Sequence, residues 1–152
     1  MEPDLKSMVH DNRKISIQLE CLTTKELGAQ GFTTAQAYVL LYILEHPDGT
    51  FLTDIHQELG VSMASLSSIL KRLKSAGYVR TEQCPGDDRR KLLFGTDKGE
   101  NAWDFLQQAI TRSCSQVFDG FSAPEISELD RMQKKMLFNL SKYAQNQQQE
   151  VL

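Results

Sequence analysis

The sequence predicts a mainly α-helical fold with a small β-wing, a winged helix-turn-helix set between N- and C-terminal helices. Three observations carry that prediction. Within Leu52–Gly99, a short amphipathic helix, a glycine turn and a longer helix follow one another. The charged segment CPGDDRR comes next, placed to tip a hairpin. Apolar stripes at helical spacing then flank this region, Leu5 to Leu22 on one side and Ile126 to Tyr143 on the other.

The first helix is expected from Asp4 to about Leu27, stopped by Gly28 and Gly31. Thr33 or Thr34 caps the next, AQAYVLLYILEHP, which is apolar enough to require burial and ends at Pro47-Asp48-Gly49. Phe51 and Leu52 are expected as a short strand, with Thr53 capping a brief helix whose Ile55 and Leu59 face inward. Gly60 supplies the turn, where a left-handed backbone costs glycine little. Ser62 caps the following helix, and Leu66, Ile69, Leu70, Leu73 and Ala76 make its core-facing stripe. After Gly77, Tyr78–Gln83 and Lys91–Phe94 are expected as strands around a Pro85-Gly86 turn. Thr96 caps a further helix. Ser122-Ala-Pro-Glu125 is a capping box with proline in the first turn, opening a last helix that ends in the Gln-rich QNQQQE, expected to fray.

At 152 residues, 40% hydrophobic and 24% charged, the chain suits one globular domain with helical extensions. No apolar run approaches the ~20 residues a bilayer span needs, so no membrane partner is expected. The N-terminal MEPDLKSMVHDNRK lacks an apolar signal-peptide core, and the expected location is the cytoplasm. Cys21, Cys84 and Cys114 form no CxxC or disulfide framework and are expected to be buried or incidental thiols. His10, His46 and His56 have no metal-ligand spacing. With no Gly-rich phosphate loop, paired carboxylates in an apolar setting or nucleophile–base pattern, no catalytic residue, metal or cofactor is expected, and an enzyme is the least favoured class.

Charge is polarised. Between Ser62 and Lys98, eight basic residues face four acidic ones, a local +4 within a chain of net charge -3. On the helix after Ser62, Ala64, Ser68 and Lys71, flanked by Ser67 and Lys74, lie opposite the apolar stripe, a face with small residues, cations and no glutamate. That distribution suits double-stranded DNA as a partner, although an ordinary solvated helix face could look the same.

With these residues in view, the chain resembles the MarR family of winged-helix transcriptional regulators along nearly all its length. The family's Asp-x-Arg, short strand and Thr-x-x-Gly are matched by Asp87, Arg89, Thr96 and Gly99. Gly60-Val61-Ser62 resembles its recognition-helix start, and the apolar helix after Thr34-Ala35-Gln36 fits as well. Two positions depart from the pattern. Gly95 stands where leucine is usual, so either the second strand is weakened or Phe94 fills the gap. Thr81 stands where an arginine is expected, with Arg80 one residue earlier.

The resemblance implies three regions: residues 1–30 as an N-terminal dimerisation helix, 31–99 as the winged helix-turn-helix DNA-binding domain, and 100–152 as C-terminal dimerisation helices. It implies a homodimer whose two recognition helices match a palindromic operator, acting as a ligand-responsive repressor. Met63, Ala64, Ser67 and Ser68 are the expected base-edge residues, and Ser62 can donate to a phosphate. Lys71, Arg72 and Lys74 are expected to neutralise phosphates, while Arg89, with Arg90 beside it, enters the minor groove with its guanidinium held in a forked pair by Asp87. Family members bind small aromatic or anionic effectors between the dimer helices and the winged helix, which makes Phe32, Tyr38, Tyr42 and Trp103 the candidate pocket. Two alternatives stand beside this reading: a thiol-based redox sensor using Cys21, and a winged-helix protein-interaction module that does not touch DNA.

Overall fold

The fold is that of residues 1–150 in a computed structural model. Helix α1 spans Leu5–Leu27, and the Asp4 carboxylate accepts from the Lys6 N–H at 3.1 Å to cap it. Gly28 caps the end of α1, as expected. Its backbone stays helical (φ -58°), a 3-10 turn carries the chain through Gln30, and the reversal comes at Gly31, where φ is 74°. Helix α2 (Thr34–Leu44) opens with a reciprocal box. Thr33 Oγ1 accepts from Gln36 N–H at 3.2 Å, while Gln36 Oε1 accepts from Thr33 N–H at 3.1 Å. Ala37, Val39, Leu40, Leu41 and Ile43 are all buried, which places α2 at the centre of the core.

After the turn, Thr50 exchanges two backbone hydrogen bonds with Leu93, at 3.2 and 2.8 Å. The strand expected at Phe51-Leu52 is therefore this single bridge at Thr50, and helix α3 (Leu52–Leu59) begins earlier than predicted. Its cap is not Thr53. The Asp54 carboxylate reaches back to accept from Phe51 N–H at 3.3 Å. Gly60 then turns at φ 69° into helix α4 (Met63–Ser75), whose cap Ser62 accepts from Ser65 N–H at 3.2 Å. Leu66, Leu70 and Leu73 of α4 are buried, each stabilising the fold by about 1.5–3 kcal/mol relative to exposure. Ala76, expected on that stripe, is exposed, because the stripe ends with the helix.

Strands β1 (Val79–Cys84) and β2 (Asp87–Gly95) form an antiparallel hairpin, tipped by Gly86 at φ 84°. The pairs Val79–Gly95, Thr81–Leu93 and Gln83–Lys91 set its register, with an irregularity between Gln83 and Cys84. The hairpin is longer than the sequence suggested: Asp87–Arg90 belong to β2 rather than to a loop. Gly95 does not weaken the strand either. It pairs with Val79, and Leu44 of α2 occupies the space a side chain there would need. Thus Leu44, not Phe94, fills the gap.

Thr96 caps α5 (Asp97–Asn101), accepting from Gly99 N–H at 3.1 Å and donating to the Gly77 carbonyl at 2.5 Å. The single helix expected after Thr96 is two, with α6 (Trp103–Val117) following a break at Ala102. Helix α7 runs Ala123–Glu150, its start fixed by Ser122 and Glu125. The Glu125 carboxylate accepts from the Ser122 N–H at 2.8 Å and from its hydroxyl at 2.9 Å. The Gln-rich segment expected to fray continues this helix to Glu150; residues 151 and 152 lie outside the described residues.

The chain divides into two compact units, Met1–Cys114 and a second beginning at Ser115. The first holds the buried core. Along its α1, Leu5, Met8, Val9 and Ile15 are exposed apolar side chains. In the second unit, Ile126, Met132, Met136, Leu137, Leu140 and Tyr143 of α7 are exposed likewise. Among the described residues no helix is long and apolar enough to cross a membrane.

Candidate nucleic-acid interface

Helix α4 is held by its buried leucines, so its opposite face turns outward. Ser62, Met63, Ala64, Ser67, Ser68, Lys71, Arg72 and Lys74 are all exposed. A cleft of about 540 Å³ opens between this helix, the start of α3 and the wing. Phe51, Leu52, Leu70 and Leu93 give it an apolar floor, and Ser67, Thr53, Ser75 and Thr81 contribute hydroxyls. Lys71, Lys74, Arg89, Arg90 and Lys91 supply positive charge, and none of the described lining residues carries a carboxylate. One sign of charge over low-dielectric walls focuses the field and attracts polyanions.

The cleft gathers part of the predicted set: Ser67, Lys71, Lys74, Arg89 and Arg90. Arg72 lies elsewhere, lining a smaller cavity with Phe32, Gln36 and Tyr78. Sequence reasoning missed Lys91, Thr53 and Phe51. Lys91 was open to inference, because strand alternation puts it on the Arg89 side. The position of Thr53 and Phe51 depended on where α3 begins.

Asp87 acts differently from the forked pair expected of it. Its carboxylate accepts from the Arg89 backbone N–H at 3.0 Å, so it shapes the chain at the wing tip. Arg80, one residue before Thr81, has its guanidinium 4.5 Å from the centre of the Phe94 ring and is ion-paired to Glu82 on the same strand. Thr81 faces the cleft; Arg80, next along the strand, projects to the other side. The missing arginine at position 81 is thus not replaced by its neighbour.

The four aromatic residues expected to line one effector pocket are not brought together. Phe32 is buried against Tyr78, ring centres 5.0 Å apart. Tyr42 stacks on His46 at 4.2 Å. Trp103 lines a cleft with Leu44, Glu100, Asn101 and Asp104. Tyr38 lines another, between α1 and α2, with Glu20, Thr23 and Thr34. Burial, and secondarily the charge of Cys114, raises the Tyr38 hydroxyl above its ordinary value. Spacing along apolar helices made these aromatics look alike, but each packs in its own environment. All three thiols are free, as expected; none is buried, for Cys21 is exposed and Cys84 and Cys114 are partly exposed.

The MarR family profile matches residues 30–90, which hold α2 to the wing tip. The regulator BilQ of Clostridioides difficile is 29% identical over 118 residues, spanning 78% of each chain. The regulator TtmR of Methylorubrum extorquens is 33% identical over 75 residues, 49% of this chain; the match spans only 38% of that protein. Among solved structures, a MarR-family regulator from Listeria monocytogenes complexed with a 26mer DNA superposes with a TM-score of 0.82. It is 23% identical, with 93% of this chain and 91% of that one covered. Fold, wing motif and sequence matches agree in one likeness: the chain matches the MarR family profile over residues 30–90 and shares the winged-helix fold of that family's solved regulators.

Proposed function

We propose that this chain is a DNA-binding regulator that acts as a homodimer on a palindromic operator and represses until a small aromatic or anionic effector binds. The observation that carries the DNA reading is the basic cleft between α4, α3 and the wing, which no carboxylate lines among the described residues. In this reading, Met63, Ala64, Ser67 and Ser68 approach base edges in the major groove, where small side chains let the helix come close. Ser62 donates to a phosphate at the helix N-terminus, and Lys71, Arg72 and Lys74 neutralise phosphates. Arg89 reaches the minor groove from the wing, its backbone set by Asp87. A regulator of the same fold from Listeria, solved with a 26mer DNA, supports DNA as the partner.

The homodimer rests on the exposed apolar residues of α1 and, independently, of α7. Such stripes call for a partner. Residues 1–30 and 100–152 then serve dimerisation, and residues 31–99 serve DNA. A two-fold dimer sets its recognition helices about one helical turn (~34 Å) apart, which a palindrome matches. The effector reading rests on the likeness to the MarR family and on the separate cavities beside Tyr38 and Trp103.

Selection of bound duplexes from a random pool tests this reading. An enriched inverted repeat is expected. A pool that stays random at low salt would overturn it.

A further inference from the structure

The basic segment offers a set of candidate phosphate contacts, yet, besides Arg80, two more of its cations are engaged with partners in the chain. Lys98 Nζ donates to the Ala76 carbonyl at 2.6 Å, at the C-terminal end of α4, and lies 4.5 Å from the centre of the Tyr78 ring. Ala76 is the C-cap of α4, where unsatisfied carbonyls concentrate negative partial charge. A lysine there both caps the helix and ties it to α5, 22 residues away in sequence. Thr96 reinforces the same junction by donating to the Gly77 carbonyl. At the other edge of the cleft, the Arg90 guanidinium lies over the Phe51 ring at 3.7 Å. Phe51 is the N-cap of α3 and follows Thr50, which is bridged to Leu93 of the wing.

We propose that Lys98 and Arg90 are positioning residues for DNA binding: Lys98 fixes the end of the recognition helix against α5, and Arg90 fixes the wing against α3. Each acts through another group and leaves phosphate neutralisation to the remaining cleft cations. This inference rests on the DNA-binding reading above. Salt dependence separates the two roles. Each phosphate neutralised adds about 0.9 to the slope of log affinity against log salt, whereas a cation that meets a partner in its own chain and no phosphate adds nothing.

The experiment compares the parent dimer with Lys98→Met, Arg90→Met and Lys71→Met, by fluorescence anisotropy on the selected duplex across a salt series. Lys98→Met and Arg90→Met are each expected to lose about two- to five-fold in affinity with the parent slope retained, the scale of one exposed cation–ring contact. Lys71→Met is expected to lower the slope by about 0.9. Phe51→Leu should reproduce the Arg90→Met loss, and the double variant should add nothing to it. Lys98→Arg should restore affinity, which a variant that merely misfolds could not reveal. A slope lowered by about one in Lys98→Met or Arg90→Met, or affinity equal to the parent, would overturn the assignment. Amide exchange in the DNA-free protein provides an independent arm. Gly77 and Tyr78 should exchange faster in Lys98→Met, and unchanged protection refutes the cap. If the parent binds no duplex at all, the DNA reading fails, while the exchange data still decide whether the cap exists.

Discussion

Replacing Gly99 with alanine tests how closely the recognition helix, the wing and α5 are locked together. Gly99 is buried in the first turn of α5. A Cβ there would sit closer than 3.0 Å to the Tyr78 carbonyl oxygen, with Leu40 Cδ1 at 3.6 Å behind it. The obstacle is backbone, which cannot rotate aside. Tyr78 O also accepts from the Thr96 N–H at 3.0 Å, so moving it loosens the junction between α4, β1 and α5. Overpacking costs about 1–3 kcal/mol, and a weakened hydrogen bond adds about 1 kcal/mol. Alanine returns about 1 kcal/mol through its better helix propensity. The net expectation is a loss of about 1–3 kcal/mol, read as a lowered urea midpoint by circular dichroism with an unchanged slope. Gly95→Ala is the control. It meets the Leu44 side-chain tip, which can shift, so the loss should be smaller. A Gly99→Ala protein as stable as the parent, or less affected than Gly95→Ala, would refute the steric argument.

Three further outcomes follow from the same geometry. Arg89 is exposed at the wing, so Arg89→Ala should leave the melting temperature unchanged while weakening operator binding by about 1–3 kcal/mol in a mobility-shift titration. Leu140 is 63% exposed on α7, and Leu140→Glu should barely affect the fold yet shift light scattering from dimer to monomer; a persistent dimer would remove α7 from the interface. The Glu125 carboxyl is held below its ordinary value, first by the Ser122 backbone N–H and then by the Ser122 hydroxyl. A depressed folded-state value means the cap contributes above the ordinary glutamate value of 4.5 and is lost as pH falls through the lower one. Amide exchange at the start of α7 should therefore quicken on acidification, and Glu125→Gln should abolish that pH dependence.

Much of this was legible in the sequence where the signal is local. Helix α4 announced itself through Ser62, the leucine spacing and the bounding glycines, and α7 through its capping box. The misses share a different origin. Phe51 is no capping residue by type, and its N–H is satisfied by Asp54, three residues on, so the start of α3 was hidden. Charged residues at a hairpin tip resemble a loop, although Asp87–Arg90 continue the strand. Gly95 looked like a defect until Leu44 was found beside it. The cleft itself was only half readable. Strand and helix periodicity placed Arg89, Lys71 and Lys74 on outward faces, but which cations are engaged internally depends on Phe51, Tyr78 and Ala76, contacts set by tertiary packing.

In the function proposed above, the cleft between α4, α3 and the wing binds duplex DNA through Lys71 and its neighbouring cations. The most direct test is the affinity of the parent and of Lys71→Ala for the selected duplex across a salt series. Binding is expected to weaken steeply with salt in the parent, with a slope shallower by about 0.9 in the variant. Binding indifferent to salt, or a variant slope identical to the parent's, would contradict it.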